Sequence, residues 1–401
     1  MAFSVAFDSC AGVYPKTEVR KVPKNMHKTL CQESRRKFLK TSFFGGAAAV
    51  AATSLPAAWA GQAAPAAKSS SSSAAAPAAP AARSAGTSKV SLATGNDRAD
   101  IAFKSMEPFK AEIAAAIGNK RVVLKPNNVI TNVPLCASHV DNLEGILEFL
   151  KSIGKTNVIL AESPAGGSVM EGFNNYGYPR LAKKYGIKLV DLDTEPVTVV
   201  QCIDEKDFQP HAVRVAKIMM DPANNFVISA AKLKTHDLVG ITLSLKNVVI
   251  GAGHKDTGSG LANAGPGGGR SDKRLMHGGG THGINYNIFT LSSVLHPHLA
   301  VIDGFEGMEG TGPVHGTPIS QKVCLASMDW LAADRVGAEL MGVDVGKIGY
   351  LTFAIAAGNR GQGDLSKIQI VGPPIKNFAK TYQLPNTWQQ IISWQRPMVA
   401  S

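Results

Sequence analysis

The 401-residue chain has only five cysteines, and two of them, Cys10 and Cys31, fall within its first sixty residues. The other three, Cys136, Cys202 and Cys324, are odd in number and widely spaced. That excludes a disulfide framework and the close Cys spacing of an iron–sulfur cluster. They are expected to be small buried hydrophobes, with Cys136–Cys202 the one bridge left open. Aromatic residues make up only 6% of the chain. No Arg-rich helix, aromatic-interleaved basic strand or zinc-finger spacing occurs, so nucleic acid is not an expected partner. Neither "GPGGGR" (265–270) nor "GAGHKDTGSG" (251–260) continues into Gly-Lys-Ser/Thr after four variable residues, which excludes a phosphate loop for nucleoside triphosphates. The Ala/Gly stretch from Thr41 to Ala58 falls short of the roughly 20 apolar residues a membrane span needs.

The start of the chain carries an address. Ser34-Arg35-Arg36-Lys37-Phe38-Leu39-Lys40 precedes an Ala-rich stretch ending in Ala58-Trp59-Ala60, the pattern of a twin-arginine signal with an A-x-A cleavage site. Residues 1–60 are therefore expected to be an export signal cleaved near Ala60. The mature protein is then periplasmic or otherwise extracytoplasmic, with the twin-arginine machinery as a partner and no stable membrane span. The signal resembles those of proteins exported already folded, often with a cofactor inserted. Residues 1–60 hold nine Lys or Arg against three Asp or Glu, so the formal charge falls from +12 to about +6 without them. A charge that mild gives no reason to expect a polyanionic partner.

Residues 61–88, rich in Ala, Ser and Pro, have almost nothing to bury and read as a disordered tether. A single α/β domain is expected over 89–375, followed by a C-terminal tail over 376–401. Short β-branched runs at 121–125, 157–162, 187–192, 225–230 and 298–303 alternate with helical patterns at 140–154, 178–186, 328–341 and 346–357. Asp329 is placed to cap the third of these helices. This order predicts a mostly parallel sheet with helices on both faces.

Four predicted strands run into polar groups: Lys125-Pro126-Asn127-Asn128, Glu162-Ser163, Lys232-Leu233-Lys234-Thr235-His236, and Gly304 to Gly310 with Glu306 and Glu309. In open α/β sheets ligands bind at that carboxyl rim. The stretch that follows, "KLKTHDLVGITLSLKN" (232–247), is apolar with lysines at both ends. Fourteen residues without a recognised turn favour a buried helix, with His236, Gly240, Leu243 and Asn247 on one face and Thr242 and Lys246 on a neighbouring one. A strand instead puts Thr242, Ser244 and Lys246 on one side. Either way Lys246 is a cation in an apolar element, and leaving it unpaired is costly or forces it neutral. Its expected partner is a carboxylate, Glu162 or Asp303, or a bound anion shared with Lys232, Lys234 and the amides at the helix start.

From Gly251 to Gly312 the chain has sixteen glycines, and seven of its ten histidines lie between 236 and 315. A long Gly/His-rich loop insertion closing over the strand ends is the expectation. His254, His277 and His282 are candidate ligands of a divalent metal, with Asp303 or Glu309 as an oxygen donor. The alternative makes these histidines anion donors or acid–base groups.

"VVLKPN", "KLKTHDLVGITLSLKN", "VIDGFEGMEGTGP" and "AADRVGAELMG" together resemble the proteins grouped as domain of unknown function 362, over roughly residues 120–372. Relatives often carry a ferredoxin-like cysteine module, and this chain has no such motif. The resemblance implies no particular reaction. It implies only that Lys232, Lys234, Thr235, His236, Lys246, Asn247, Asp303, Gly304, Glu309 and Gly310 lie in signature segments. The expected protein has a basic site for a small carboxylate or phosphate. Lys125, Lys232, Lys234 and Lys246 hold the anion. Asn127, Asn128, Glu162, Thr235 and Asn247 line the site, and His236 or Glu309 moves a proton. It is an isomerase, hydrolase or oxidoreductase, metal-assisted or otherwise; the alternative is a non-catalytic periplasmic anion-binding protein.

Overall fold

Alternation within the predicted strands decides which residues face which core. Val122 and Leu124 of strand β2 (Arg121–Lys125) pack into one apolar cluster while Val123 packs into another. The same split divides Val158 and Leu160 from Ile159 and Ala161 in β3 (Val158–Glu162). A strand greasy on both sides belongs in a sheet covered on both faces. The computed structural model describes residues 86–256 and 269–396. The segments expected to be a signal and a tether, apart from residues 86–88, and residues 257–268 and 397–401 lie outside these.

The remaining strands are β1 (Ser88–Thr94), β4 (Lys188–Asp191), β5 (Val197–Ile203), β6 (Pro210–Ala216), β7 (Asn225–His236), β8 (Gly240–Thr242), β9 (Leu299–Thr311), β10 (His315–Ser327) and β11 (Ile368–Val371). The main sheet has nine strands in the order β11-β1-β10-β9-β7-β2-β3-β4, with β8 paired to β7, while β5 and β6 form a separate ribbon. Pairings β1–β11, β7–β9, β2–β7, β2–β3 and β3–β4 are parallel; β1–β10, β9–β10 and β7–β8 are antiparallel. The fold is α/β with a mostly parallel sheet.

On one face lie α1 (Arg98–Met106), α2 (Lys110–Ile117), α3 (Val140–Ser152), α4 (Val169–Asn175) and α5 (Pro179–Tyr185), which share a core with Phe226, Ile228 and Val301. On the other lie α6 (Ser244–Gly251), α7 (Lys273–Met276), α8 (Thr281–Leu291), α9 (Trp330–Leu340) and α10 (Gly349–Ala357), packed with Val227, Leu233 and Ile302. Asp329 caps α9, accepting from Leu331 N and Ala332 N. Tyr382 and Ile391, in the segment expected as a tail, are buried, the latter in α11 (Trp388–Ile391). Cys136, Cys202 and Cys324 are all free and buried, so the open Cys136–Cys202 bridge is absent.

One expectation is overturned, and a second is not seen among the described residues. The segment 236–250 is not one helix. β7 runs through His236, turns at Asp237–Val239, pairs back as β8, and only then enters α6. Gly240, at φ +82°, was the turn signal, hidden because apolar neighbours buried on all sides show no periodicity. The expected long Gly/His-rich loop is also absent among the described residues. Part of 251–312 forms α7 and α8, and Leu299–Thr311 becomes one arm of the β9–β10 hairpin. Cross-strand pairing outweighed the low strand propensity of its glycines.

Candidate functional site

Lys125 and Glu162 end adjacent parallel strands, so their side chains meet at the carboxyl rim. Lys125 Nζ donates to Glu162 Oε1 at 2.7 Å, to the Pro126 carbonyl at 3.1 Å and to Asn247 Oδ1 at 3.2 Å. Glu162 also accepts from the amides of Ser163 and Asn128. Asn247 Oδ1 takes a further hydrogen bond from Asn127 Nδ2, and its own amide donates to Lys125 O and Ser229 Oγ. The loops after β2 and β3 and helix α6 are thereby tied into one polar floor. Val129, held at φ +29° where a β-branched residue is strained, accepts from the amides of Ala165 and Gly166 and links the β2 and β3 loops.

Above this floor a cavity of about 90 Å³ is lined by Lys125, Asn127, Glu162, His236, Lys246 and Lys273, with Thr242, Gly251, His277 and Pro313 among its other walls. It suits a small anion rather than a ligand of drug size, for which pockets run to roughly 300–1,000 Å³. Gly251 makes room for the floor: a Cβ there comes within 2.4 Å of both Cε and Nζ of Lys125. Gly251→Ala is expected to displace that ammonium and cost about 1–3 kcal/mol by overpacking, read by urea unfolding. Wild-type stability with an undisturbed cavity refutes the close approach.

The electrostatics are one-sided. Lys246 Nζ meets His236 Nε2 at 2.8 Å and has no carboxylate partner among the described residues. Lys273 Nζ donates to the carbonyls of Ile250 and Gly251, at the end of α6, at 3.1 Å each, where the helix dipole favours a cation. Lys234 stands one hydrogen bond behind the cavity, donating to Asn127 Oδ1 and to the Cys136 carbonyl. Burial, reinforced by the neighbouring ammonium groups, lowers Lys246 to about 7, and burial lowers Lys234 and Lys273 to about 8. Burial and Lys246 bring His277 down to about 4 and hold His236 well below its ordinary value. The expected carboxylate partner for Lys246 is thus not found. Glu162 is taken by Lys125, and Asp303 lies 3.5 Å from Arg98 Nε.

Not every predicted residue converges. Asn128 lies behind the cavity, its Oδ1 accepting from Tyr178. Lys232 pairs in register with Asp303, away from the cavity, and Asp303 holds it less far below its ordinary value than burial alone. Thr235 Oγ1 donates to Gly310 O. Glu309 accepts from Gln383 N on the surface. His254 lies near Asp256, and His282 Nε2 meets Arg396 O. His254, His277, His282 and Asp303 are therefore not gathered, and among the described residues no group of three or more His, Cys, Asp or Glu can hold a metal. The helix-start amides are occupied too: Asp334 of α9 accepts from Ser244 N, Ser244 Oγ and Leu245 N.

Sequence reasoning missed Lys273, Gly251 and Asp334. Lys273 and His277 stand four apart with Nδ1–H of His277 donating to Lys273 O. That i, i+4 spacing was legible, but the surrounding glycines suggested a loop.

A thylakoid-associated protein of Synechocystis sp. is 26% identical to this chain over 226 residues, 56% of this chain. The chain spans 64% of that relative's length, just under two thirds. The family model described as Domain of unknown function (DUF362) matches residues 122–339, ending short of the 372 expected from the sequence. That match covers more than half of the chain and includes Lys125, Glu162, Lys234, His236, Lys246, Lys273 and Asp334, and on it the chain belongs to the domain of unknown function 362 family.

Proposed function

We propose that the cavity binds a small carboxylate or phosphate and that the protein is an extracytoplasmic enzyme acting on it. One observation carries the reading: two buried lysines, Lys246 and Lys273, line the cavity and a third, Lys234, stands just behind it, none with a carboxylate partner among the described residues. The positive charge that Lys234 and Lys273 carry there is stabilised by any anion that enters. Lys273 and Lys234 supply charge, Asn127 orients the ligand, and neutral His236 and His277 are the groups able to move a proton. The extracytoplasmic location rests on the twin-arginine pattern. The thylakoid-associated relative agrees with it, and no helix among the described residues is long and apolar enough to cross a membrane.

Calorimetric titration with phosphate and with acetate tests the binding. Lys273→Met is expected to weaken it about tenfold or more, the loss of one charge-assisted hydrogen bond of roughly 1.5–3 kcal/mol. Binding unchanged in that variant, with the fold intact, removes the cavity from consideration. Tight binding without turnover of any small oxo, hydroxy or phosphorylated acid supports the carrier instead.

A further inference from the structure

Lys246 and His236 meet at 2.8 Å, and the proton on the imidazole decides what that contact is. The backbone N–H of Leu238 donates to His236 Nδ1 at 3.0 Å. A backbone amide can only donate, so Nδ1 is the acceptor and the ring proton sits on Nε2. Asp237 Oδ1 also approaches Nδ1, at 3.2 Å, which suits an imidazolium. Burial and the charges of Lys246, His277 and Lys234 oppose that cation. With Nε2–H pointing at Nζ, an ammonium there leaves two donors facing each other; a neutral amine accepts the bond through its lone pair.

From this we infer that Lys246 is a neutral, nucleophilic amine that forms an imine with the carbonyl of a small oxo acid whose carboxylate is held by Lys273. The inference rests on the anion-site reading and names its substrate class. Lys125, by contrast, is committed to Glu162, while Lys273 gives two of its three N–H donors to the carbonyls closing α6 and keeps one for the substrate carboxylate. Lys246 lines the cavity with no oxygen acceptor among the described residues. The groups that face it are His236, Lys234, Asp237, Lys273 and His277. An amine desolvated beside other cations is the arrangement that activates lysine toward carbonyls.

The step balances without a co-reactant. The Nζ lone pair attacks the carbonyl carbon, the C–N bond forms, and the carbonyl π pair moves to oxygen. The nitrogen, now positively charged, gives one proton to that oxygen, whose developing charge His236 Nε2–H stabilises by a hydrogen bond, and a neutral carbinolamine results. Loss of the hydroxyl as water, with the remaining N–H proton, leaves C=N. The net change is carbonyl plus amine to imine plus water.

Incubating the purified protein with glyoxylate or pyruvate and sodium cyanoborohydride at neutral pH, then mapping peptides by mass spectrometry, tests this. The expected result is one dominant adduct, on Lys246, forming at least about tenfold faster than on exposed lysines. These are almost wholly protonated at neutral pH, with ordinary values of about 10.4. Lys246→Arg is expected to lose that adduct while keeping a cooperative unfolding transition. Adducts spread over surface lysines, with Lys246 unlabelled, overturn the imine. If acetate and phosphate nevertheless bind the cavity, only the imine falls; if they do not bind, the anion site falls with it.

Discussion

Replacing Glu162 with alanine is expected to cost the protein about 3–5 kcal/mol, the usual consequence of stranding one partner of a buried ion pair. The Lys125 side chain is 0% exposed and that of Glu162 2% exposed, so no solvent is at hand to take up the uncompensated ammonium. The substitution also removes the acceptor of the Ser163 and Asn128 amides, which shape the two loops at the cavity. Urea unfolding measures the loss. Two companion results are expected. Formate or acetate, entering the vacated carboxylate position, restores part of the stability, and a Lys125→Met, Glu162→Leu double variant is far less damaged than Glu162→Ala alone. A loss below about 1 kcal/mol, within the range of an exposed pair, places the pair in water and contradicts the buried floor.

Raising the pH from 7 to 9 is expected to stabilise the unliganded protein. Lys234, Lys246 and Lys273 have folded-state values of about 8, 7 and 8, below the ordinary lysine value. Below pH 7 both the folded and the unfolded chain hold these protons, and the folded state bears the burial of the charge. Between the folded and unfolded values the unfolded chain binds more protons, so stability climbs with pH, by up to about 1.4 kcal/mol per pH unit for each group fully in that window. The three titrate as an interacting set. Asp334, raised by burial to about 7, works in the opposite direction, but its loss is largely complete by pH 7. Above pH 9 the buried thiols Cys202 and Cys324, pushed up to about 12, work against the climb and flatten it, as the unfolded chain ionises there first. Phosphate supplies the missing anion and raises the lysines, so its stabilising effect is expected to be larger at pH 7 than at pH 9. Thermal unfolding across this range, with and without phosphate, is the measurement. A flat or falling profile from pH 7 to 9 means the three ammonium groups are solvated.

Much of the frame was legible from local pattern. Strand 121–125 and Asp329 as a cap appear where periodicity and capping chemistry put them, because a buried strand bounded by polar groups and an acidic residue before an apolar helix are local signals. The gathering of Lys125, Asn127, Glu162, His236 and Lys246 was readable for the same reason: strand ends in a parallel sheet share one rim. Lys232, Lys234, His236 and Glu309 were read as loop residues beyond strand ends, yet all lie within β7 and β9. Those strands are long because β10 and β8 pair with their outer halves, a fact of partners distant in sequence. Lys232 does not line the cavity, and its in-register neighbour on β9 is Asp303.

What the chain alone determined is the α/β layout and the set of residues available at the rim, since both follow from side-chain period and from polar residues placed at strand ends. Only the tertiary structure decided how the charges are matched. Glu162 is held by Lys125, Asp303 lies beside Arg98, and Asp334 closes the start of α6, so among the described residues Lys246 is left without a carboxylate partner. Pairing between buried charges depends on distances of a few ångströms between segments far apart in sequence. Composition and periodicity count the partners but carry no such distances.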